Sequence, residues 1–292
     1  MAAPLQPYAK RAITVTFKLG TGPFGDTGSD TVTLQGLRVL FQADWSNLDS
    51  QPTAIIRIYG MTLSQMNQLT TAGNVYTVRG DKVQVDAGDV GGNMIPVFVG
   101  TINQAFPDFR EAPNAAFMVA AIGGGELNIK PAQPVTFSGS RPFATVMQKI
   151  LEPTGLTHED NGVNAILQSP YFPGSTMSQV SRALQSARCF GCLDTMKNVV
   201  ATWPKNSSRG GDAAVVSPAT GMIGYPEFQR AQIMVRTRFD GTLHPPGTKI
   251  QVQSQLDAAK GNWTVLKEDL TLSSEEPGGP WEMLITASNP QA

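Results

Sequence analysis

Charge is what this sequence has least of. Only 15% of its 292 residues are Asp, Glu, Lys or Arg, against roughly 25% in ordinary soluble domains. Much of the surface therefore has to be neutral and polar, which suits broad protein contacts. Basic excess is missing too: 22 Lys and Arg face 23 Asp and Glu, for a formal charge of -1, and the basic residues are scattered. That excludes a phosphate-binding face and, with it, direct sequence-specific nucleic acid binding. Cysteine is nearly absent, and Cys189 and Cys192 alone cannot build the disulfide framework of a small secreted domain. No stretch approaches the ~18 consecutive apolar residues of a membrane span, and Met1–Leu19 lacks the apolar core of a signal peptide. The expectation is a soluble protein made in the cytoplasm, with no membrane insertion.

What is present is strand after strand. Ile13–Phe17, Leu37–Phe41, Ile55–Tyr59, Tyr76–Val85, Ile95–Ile102 and Ala116–Ile122 are rich in β-formers, several with visible alternation. Gly80-Asp81 reads as a hairpin turn inside Val75–Val85. One short helix interrupts the pattern: Thr62 or Ser64 caps it, Leu63, Met66 and Leu69 lie at helical spacing, and Gly73 stops it. These features predict a first β domain over 1–125, a closed or nearly closed barrel or sandwich. After Gly123-Gly124-Gly125 the texture changes. Pro142 in the first turn opens a helix with the apolar face Phe143, Val146, Met147, Ile150 and Leu151, and Gly155 closes it. A second helix runs from about Met177 to Ala187 behind Ser175 or Thr176, followed by a hairpin around Met196-Lys197-Asn198. This is a small α+β domain over 126–212. Ile233–Phe239, Lys249–Ser254, Gly261–Asp269 and Glu282–Ala287 then read as strands of a second β domain over 213–292. That domain is too short for a large barrel unless it shares an early strand. The fold class is mainly β with an α+β insert.

No catalytic constellation emerges. Cys189-Phe190-Gly191-Cys192 has the spacing of a redox dithiol or half a zinc site. It follows a helix instead of opening one, though, and has no second pair, so two buried thiols are expected. His158-Glu159-Asp160 offers a base beside carboxylates, but neighbours in a chain diverge, and a solvated turn is expected. His244, before Pro245-Pro246, reads as a loop residue. Glu268-Asp269 and Glu275-Glu276 read as rim charges, because adjacency does not hold two carboxyls across a cleft. The glycine clusters lack the strand-to-helix context of a phosphate loop. Neither an enzyme nor a cofactor or metal site is expected. Of the tryptophans Trp45, Trp203, Trp263 and Trp281, scattered along the chain, burial or subunit contact is a better reading than a carbohydrate platform. Trp281 on Gly278-Gly279-Pro280 is the leading interface anchor; Trp263 and Tyr225 are the other interface candidates.

Several blocks, taken in order, resemble phage baseplate hub proteins. They are Arg57-Ile58-Tyr59-Gly60 with Leu63–Leu69, Val97–Ile102, Glu159–Val163, Tyr171–Gly174, Ser217–Pro226 and Pro277–Trp281. The resemblance spans roughly Ala12–Trp281. It implies two tail-tube-like β domains flanking the α+β domain and a homotrimer that imitates a sixfold ring. It further implies tail tube, spike and other baseplate proteins as partners, and a place in the virion tail baseplate after assembly in the host cytoplasm. Ring closure would hide strand edges that otherwise add strands without limit. A carbohydrate- or receptor-binding tail module is the alternative.

Overall fold

The computed structural model describes residues 10–25, 28–46, 51–70, 80–110 and 112–289. Residues 75–79 of the expected hairpin and the helix stop at Gly73 lie outside them. Strict alternation builds the first region. Its strands are β1 (Arg11–Lys18), β2 (Thr31–Leu34), β3 (Val39–Ser46), β4 (Thr53–Tyr59), β5 (Lys82–Asp89), β6 (Met94–Asp108) and β7 (Ala116–Ile122). In β3, for example, Val39, Phe41, Ala43 and Trp45 are buried while the residues between them face outward. Helix α1 (Leu63–Leu69) starts at Thr62, whose hydroxyl accepts the Gln65 N–H while the Gln65 side chain accepts the Thr62 N–H. This reciprocal cap satisfies two donors that the first turn leaves without partners.

The insert contains α2 (Glu126–Ile129), β8 (Val135–Thr136), β9 (Ser140–Pro142), α3 (Phe143–Leu151), β10 (Thr157–Asp160), β11 (Ile166–Gln168), β12 (Tyr171–Phe172), α4 (Thr176–Ala187), β13 (Cys189–Asp194) and β14 (Val199–Pro204). Pro142 stands just before α3, one residue earlier than expected, and Ser175 caps α4. Helices α3 and α4 bury Val146, Met147, Ile150, Val180, Ala183 and Leu184 in one core with Leu193 and Val200. The small sheet runs β10-β14-β13, with β10 parallel to β14. His158, Glu159 and Asp160 therefore sit in a strand, not in the solvated turn expected from the sequence.

The last region contributes β15 (Ala214–Val216), β16 (Glu227–Gln229), β17 (Gln232–Arg238), β18 (Lys249–Val252), β19 (Gly261–Ser274) and β20 (Trp281–Ser288). The chain is mainly β with an α+β insert, and thirteen of its strands form one sheet: eleven follow the path β16-β17-β20-β19-β3-β4-β7-β6-β5-β1-β2, while β18 branches from β19 and β15 pairs with β18. The turning point is β19. Its first residues pair with β18, whereas Lys267–Ser274 pair with β3 of the first region. Between Val265 and Lys267 the register against β20 shifts by one residue. This bulge keeps Trp263 and Val265 before it, and Glu268, Leu270 and Leu272 after it, on the buried face. Without the extra residue, Lys267, Asp269 and Thr271 would turn inward. Leu270 and Leu272 join the core of the first region, while Trp263 and Val265 join that of the last. β20 divides in the same way, with Met283 in one core and Ile285 and Ala287 in the other. Each of the Val, Leu, Met and Ile side chains among these stabilises its core by about 1.5–3 kcal/mol.

The insert is tied to this sheet by a small joint. Trp203 packs with Cys192 and Ala201, the Arg209 N–H donates to the Gly247 carbonyl at 2.7 Å, and the Gly247 N–H donates to the Val265 carbonyl at 2.8 Å. A Cβ on Gly247 would lie 2.7 Å from the Trp203 ring, so the close approach requires glycine.

Candidate assembly surfaces

Trp281, the leading anchor in the sequence, begins β20 and is half-buried at the floor of a cleft of about 520 Å³. Its ring lies 6.0 Å from that of Phe239, and the Arg11 guanidinium is 5.2 Å above it. Arg11 also pairs with Asp89. The loop before Trp281 is rigidly seated: the Ser273 N–H donates to the Pro280 carbonyl at 2.8 Å, and a Cβ on Gly279 would collide with the Ser273 hydroxyl. Around this floor stand Lys10, Arg11 and Arg238 against Glu275 and Glu276. Lys10 pairs with Glu275 at 2.7 Å and Arg38 reaches in to Glu276 at 2.6 Å. Among the described residues Arg238 makes no ion pair, so the cleft keeps one uncompensated guanidinium beside an indole.

Across the Lys10–Glu275 bridge the cleft continues into a second hollow of about 350 Å³ lined by Ile13, Leu37 and Met94. It lies along a stretch of β1 that makes ladder pairs on one side only and has the end of β19 close to its other side. β1 pairs with β5 over its whole length but with β2 only from Val15 to Lys18. The chain turns away from β1 at Gly36, whose φ of 66° is a conformation glycine adopts freely. The Val90 N–H donates to the Lys10 carbonyl, so even-numbered residues of β1 aim their backbone groups at β5. By the alternation of an antiparallel ladder, Arg11 and Ile13 aim theirs away from β5, toward the hollow.

Tyr225, by contrast, is 60% exposed, with its hydroxyl 3.1 Å from the Gln255 side chain. It stands just before β16, which ends the sheet at its other extreme and is exposed at all three residues. Phe228, in the middle of β16, is 52% exposed; Ile223, two residues before Tyr225, and Leu256, next to Gln255, are exposed too. Trp263 is different: it is buried in the last region's core and its indole N–H donates to the Ala259 carbonyl at 2.9 Å. Trp45 and Trp203 are buried too.

The titratable groups singled out in the sequence are scattered, and among the described residues no three His, Cys, Asp or Glu converge on a metal-sized site. Cys189 and Cys192 lie an odd number of residues apart on β13, so they face opposite sides of it. Burial raises their thiols to about 11 and about 12, so both are poor nucleophiles. Glu159 is held below its ordinary range chiefly by Arg209, which grips it through two bonds of 2.9 and 2.7 Å and also approaches the buried Asp194 at 3.6 Å. His158 contacts the Thr202 hydroxyl at 2.9 Å, and partial burial lowers its basicity. Glu268 is the clearest departure from a rim charge. At 1% exposure it lies on the buried face of β19 opposite Trp45, and one carboxylate oxygen accepts the His244 N–H at 2.8 Å. Burial raises it to about 8 and lowers the neighbouring His244. Glu275 and Glu276 do lie at the surface, in the ion pairs already described.

No family model and no curated protein matches the sequence. Solved structures do match. A tail protein from Neisseria meningitidis aligns over 96% of this chain and 97% of its own, with a TM-score of 0.64 at 10% identity. The 43 kDa tail protein of prophage MuSo2 from Shewanella oneidensis aligns over 97% and 98%, with a TM-score of 0.60 at 10% identity. An Escherichia coli component of the type VI secretion system, itself described as similar to bacteriophage T4 tail proteins, aligns over 86% and 73%, with a TM-score of 0.58 at 9% identity. The chain has a phage tail protein fold.

Within this tail-protein fold, sequence reasoning had singled out Trp281 and Tyr225 but missed what surrounds them. Arg238 is one of many scattered basic residues, and only the fold sets it in the Trp281 cleft. Strand β16 spans three residues behind Pro226, too few for any period to show. The hollow beside β1 has no sequence signal at all, since it exists only where β1, Leu37 and the end of β19 come together.

Proposed function

We propose that this chain is a structural subunit of a phage tail or related injection machine: a baseplate hub whose three copies form a pseudo-sixfold ring between tail tube and spike. The carrying observation is β19, one continuous strand that belongs to two apolar cores. It joins two β bodies into one sheet, so each copy offers two ring positions in fixed relation, and three copies offer six. The tail-protein fold supports the setting, a virion tail, with tail tube, spike and other baseplate proteins as partners. Burial of Trp45, Trp203 and Trp263 argues against a stacked indole platform for glycans, and the raised thiols and dispersed carboxylates argue for binding in place of turnover.

Native mass measurement of the purified protein, and of the assembled particle, tests this reading. A trimer at this layer is expected; a monomer in the particle would reject it. Wall-degradation and glycan-binding assays should both be negative.

A further inference from the structure

We propose that Glu268 and Trp45 form a proton-controlled latch across the seam between the two β regions: while the Glu268 carboxyl keeps its proton the pair stays unbonded, and once it ionises the Trp45 indole N–H donates to it. The latch needs only one copy of the chain and stands apart from the trimer reading.

The seam is where β19 passes from one core to the other. Val265, before the bulge, belongs to the core of the last region, and Leu270, after it, to that of the first. Glu268 lies between them on the buried face and is the direct cross-strand partner of Trp45 on β3. Side chains paired in this way leave the backbone about 5 Å apart on the same face, within reach of each other. Two polar atoms there lack a hydrogen-bond partner among the described residues: Oε1 of Glu268, an acceptor, and Nε1 of Trp45, a donor. A buried donor and a buried acceptor left in this state are each costly, and each is what the other lacks. The His244 N–H holds the second carboxylate oxygen at 2.8 Å, so Oε1 is the one left for the indole.

No other group answers the charge. On β19, Lys267 and Asp269 point outward and pair with each other, and Asp44 of β3 is on that outer face too. From the other side, β20 sets Ile285 beside Glu268. The loop before β18 brings His244, itself buried and less basic than usual, with Asp240 close enough to act on it. Among the described residues no lysine or arginine pairs with Glu268, and the indole N–H is the unused donor in register with it. Burial accordingly raises the carboxyl to about 8, so the latch closes only as the pH rises past that value.

The test follows the indole N–H resonances of the four tryptophans in the full chain by NMR from about pH 4 to about pH 10, with Trp45 assigned from its absence in Trp45→Phe. The Trp45 resonance should move downfield in one titration centred well above the ordinary carboxylate range, and should stay still in Glu268→Gln, which keeps the side chain's shape. In Trp45→Phe, the infrared band of the protonated Glu268 carboxyl, read as the difference from the same protein carrying Glu268→Gln, should persist to a pH at least about 0.5 unit higher than with Trp45 present. That is an acid about threefold weaker, because its ionised form has lost a donor. A Trp45 resonance that does not titrate, that titrates in the ordinary carboxylate range or that still moves in Glu268→Gln overturns the latch, and so does a carboxyl midpoint that Trp45→Phe leaves unchanged.

Discussion

The first strand-rich region, residues 11–122, rings a core with seven strands of its own and packs Phe17, Phe41, Phe98 and Phe117 at its centre. The last region, residues 214–288, has a smaller core built on Ile233, Val235, Ile250 and Val265, and spends half of its two longest strands on the other region. Its β19 gives Leu270 and Leu272 to the first core and only then reaches the turn back into β20. The difference teaches that the last region is not a second independent copy of the first in energetic terms. It is anchored through strands whose other halves belong to its neighbour, so damage to the larger core should travel into the smaller one.

That comparison breaks most visibly at Leu272. Leu272→Ala should cost about 4 kcal/mol through a cavity in the first core, and hydrogen exchange should show amide protection lost together in β4 and in β17. Independent loss, with β17 still protected, would separate the two regions. Arg209→Met probes the joint between insert and sheet, where it leaves Asp194 and Glu159 without their shared cation; chemical denaturation should register about 3 kcal/mol. The third prediction concerns pH. Glu268 is raised to about 8 in the folded chain but has its ordinary value of about 4.3 when unfolded. The folded state thus holds the extra proton between these values, so this group lowers stability as pH rises from about 4 to about 8 and has no further effect above that. Glu268→Gln should remove that slope and stabilise the protein by about 2 kcal/mol at pH 9, with little change at pH 4. His244, lowered by burial, works in the opposite direction, adding stability as pH rises through about 6.5, so denaturation of both proteins across pH separates the two. The smallest effect belongs to the surface: Tyr225→Ser should change stability by less than about 0.5 kcal/mol, while weakening assembly if the β16 edge is a contact.

Much of the fold was legible because alternation and capping act over a few residues. Leu37–Phe41 announced the start of β3, which runs on to Ser46, and Thr62 with Leu63, Met66 and Leu69 announced α1. The strand ending expected at Asp269 was five residues short, because Glu268-Asp269 and Ser273-Ser274 look like a polar boundary. In the structure a one-residue bulge and two flanking strands bury Glu268, Ser273 and Ser274 and leave Asp269 on the outer face, paired with Lys267. The missing five residues are most of the segment that pairs with β3. Glu268 and Glu159 were misjudged for a related reason: adjacent carboxylates look solvated until their neighbours in space are known. Trp263 and Trp281 were both interface candidates in the sequence, yet one fills a core and the other lines a cleft.

By itself the sequence determined a β-rich chain with a helical insert and little charge, since composition and short-range periodicity are properties of the chain alone. Only the tertiary structure decided that residues 267–274 lie against residues 39–46 and that Arg238 shares a cleft with Trp281 and Arg11. Partner choice between distant strands depends on how whole faces pack and on where a bulge resets the register, and no local pattern of residues carries that information.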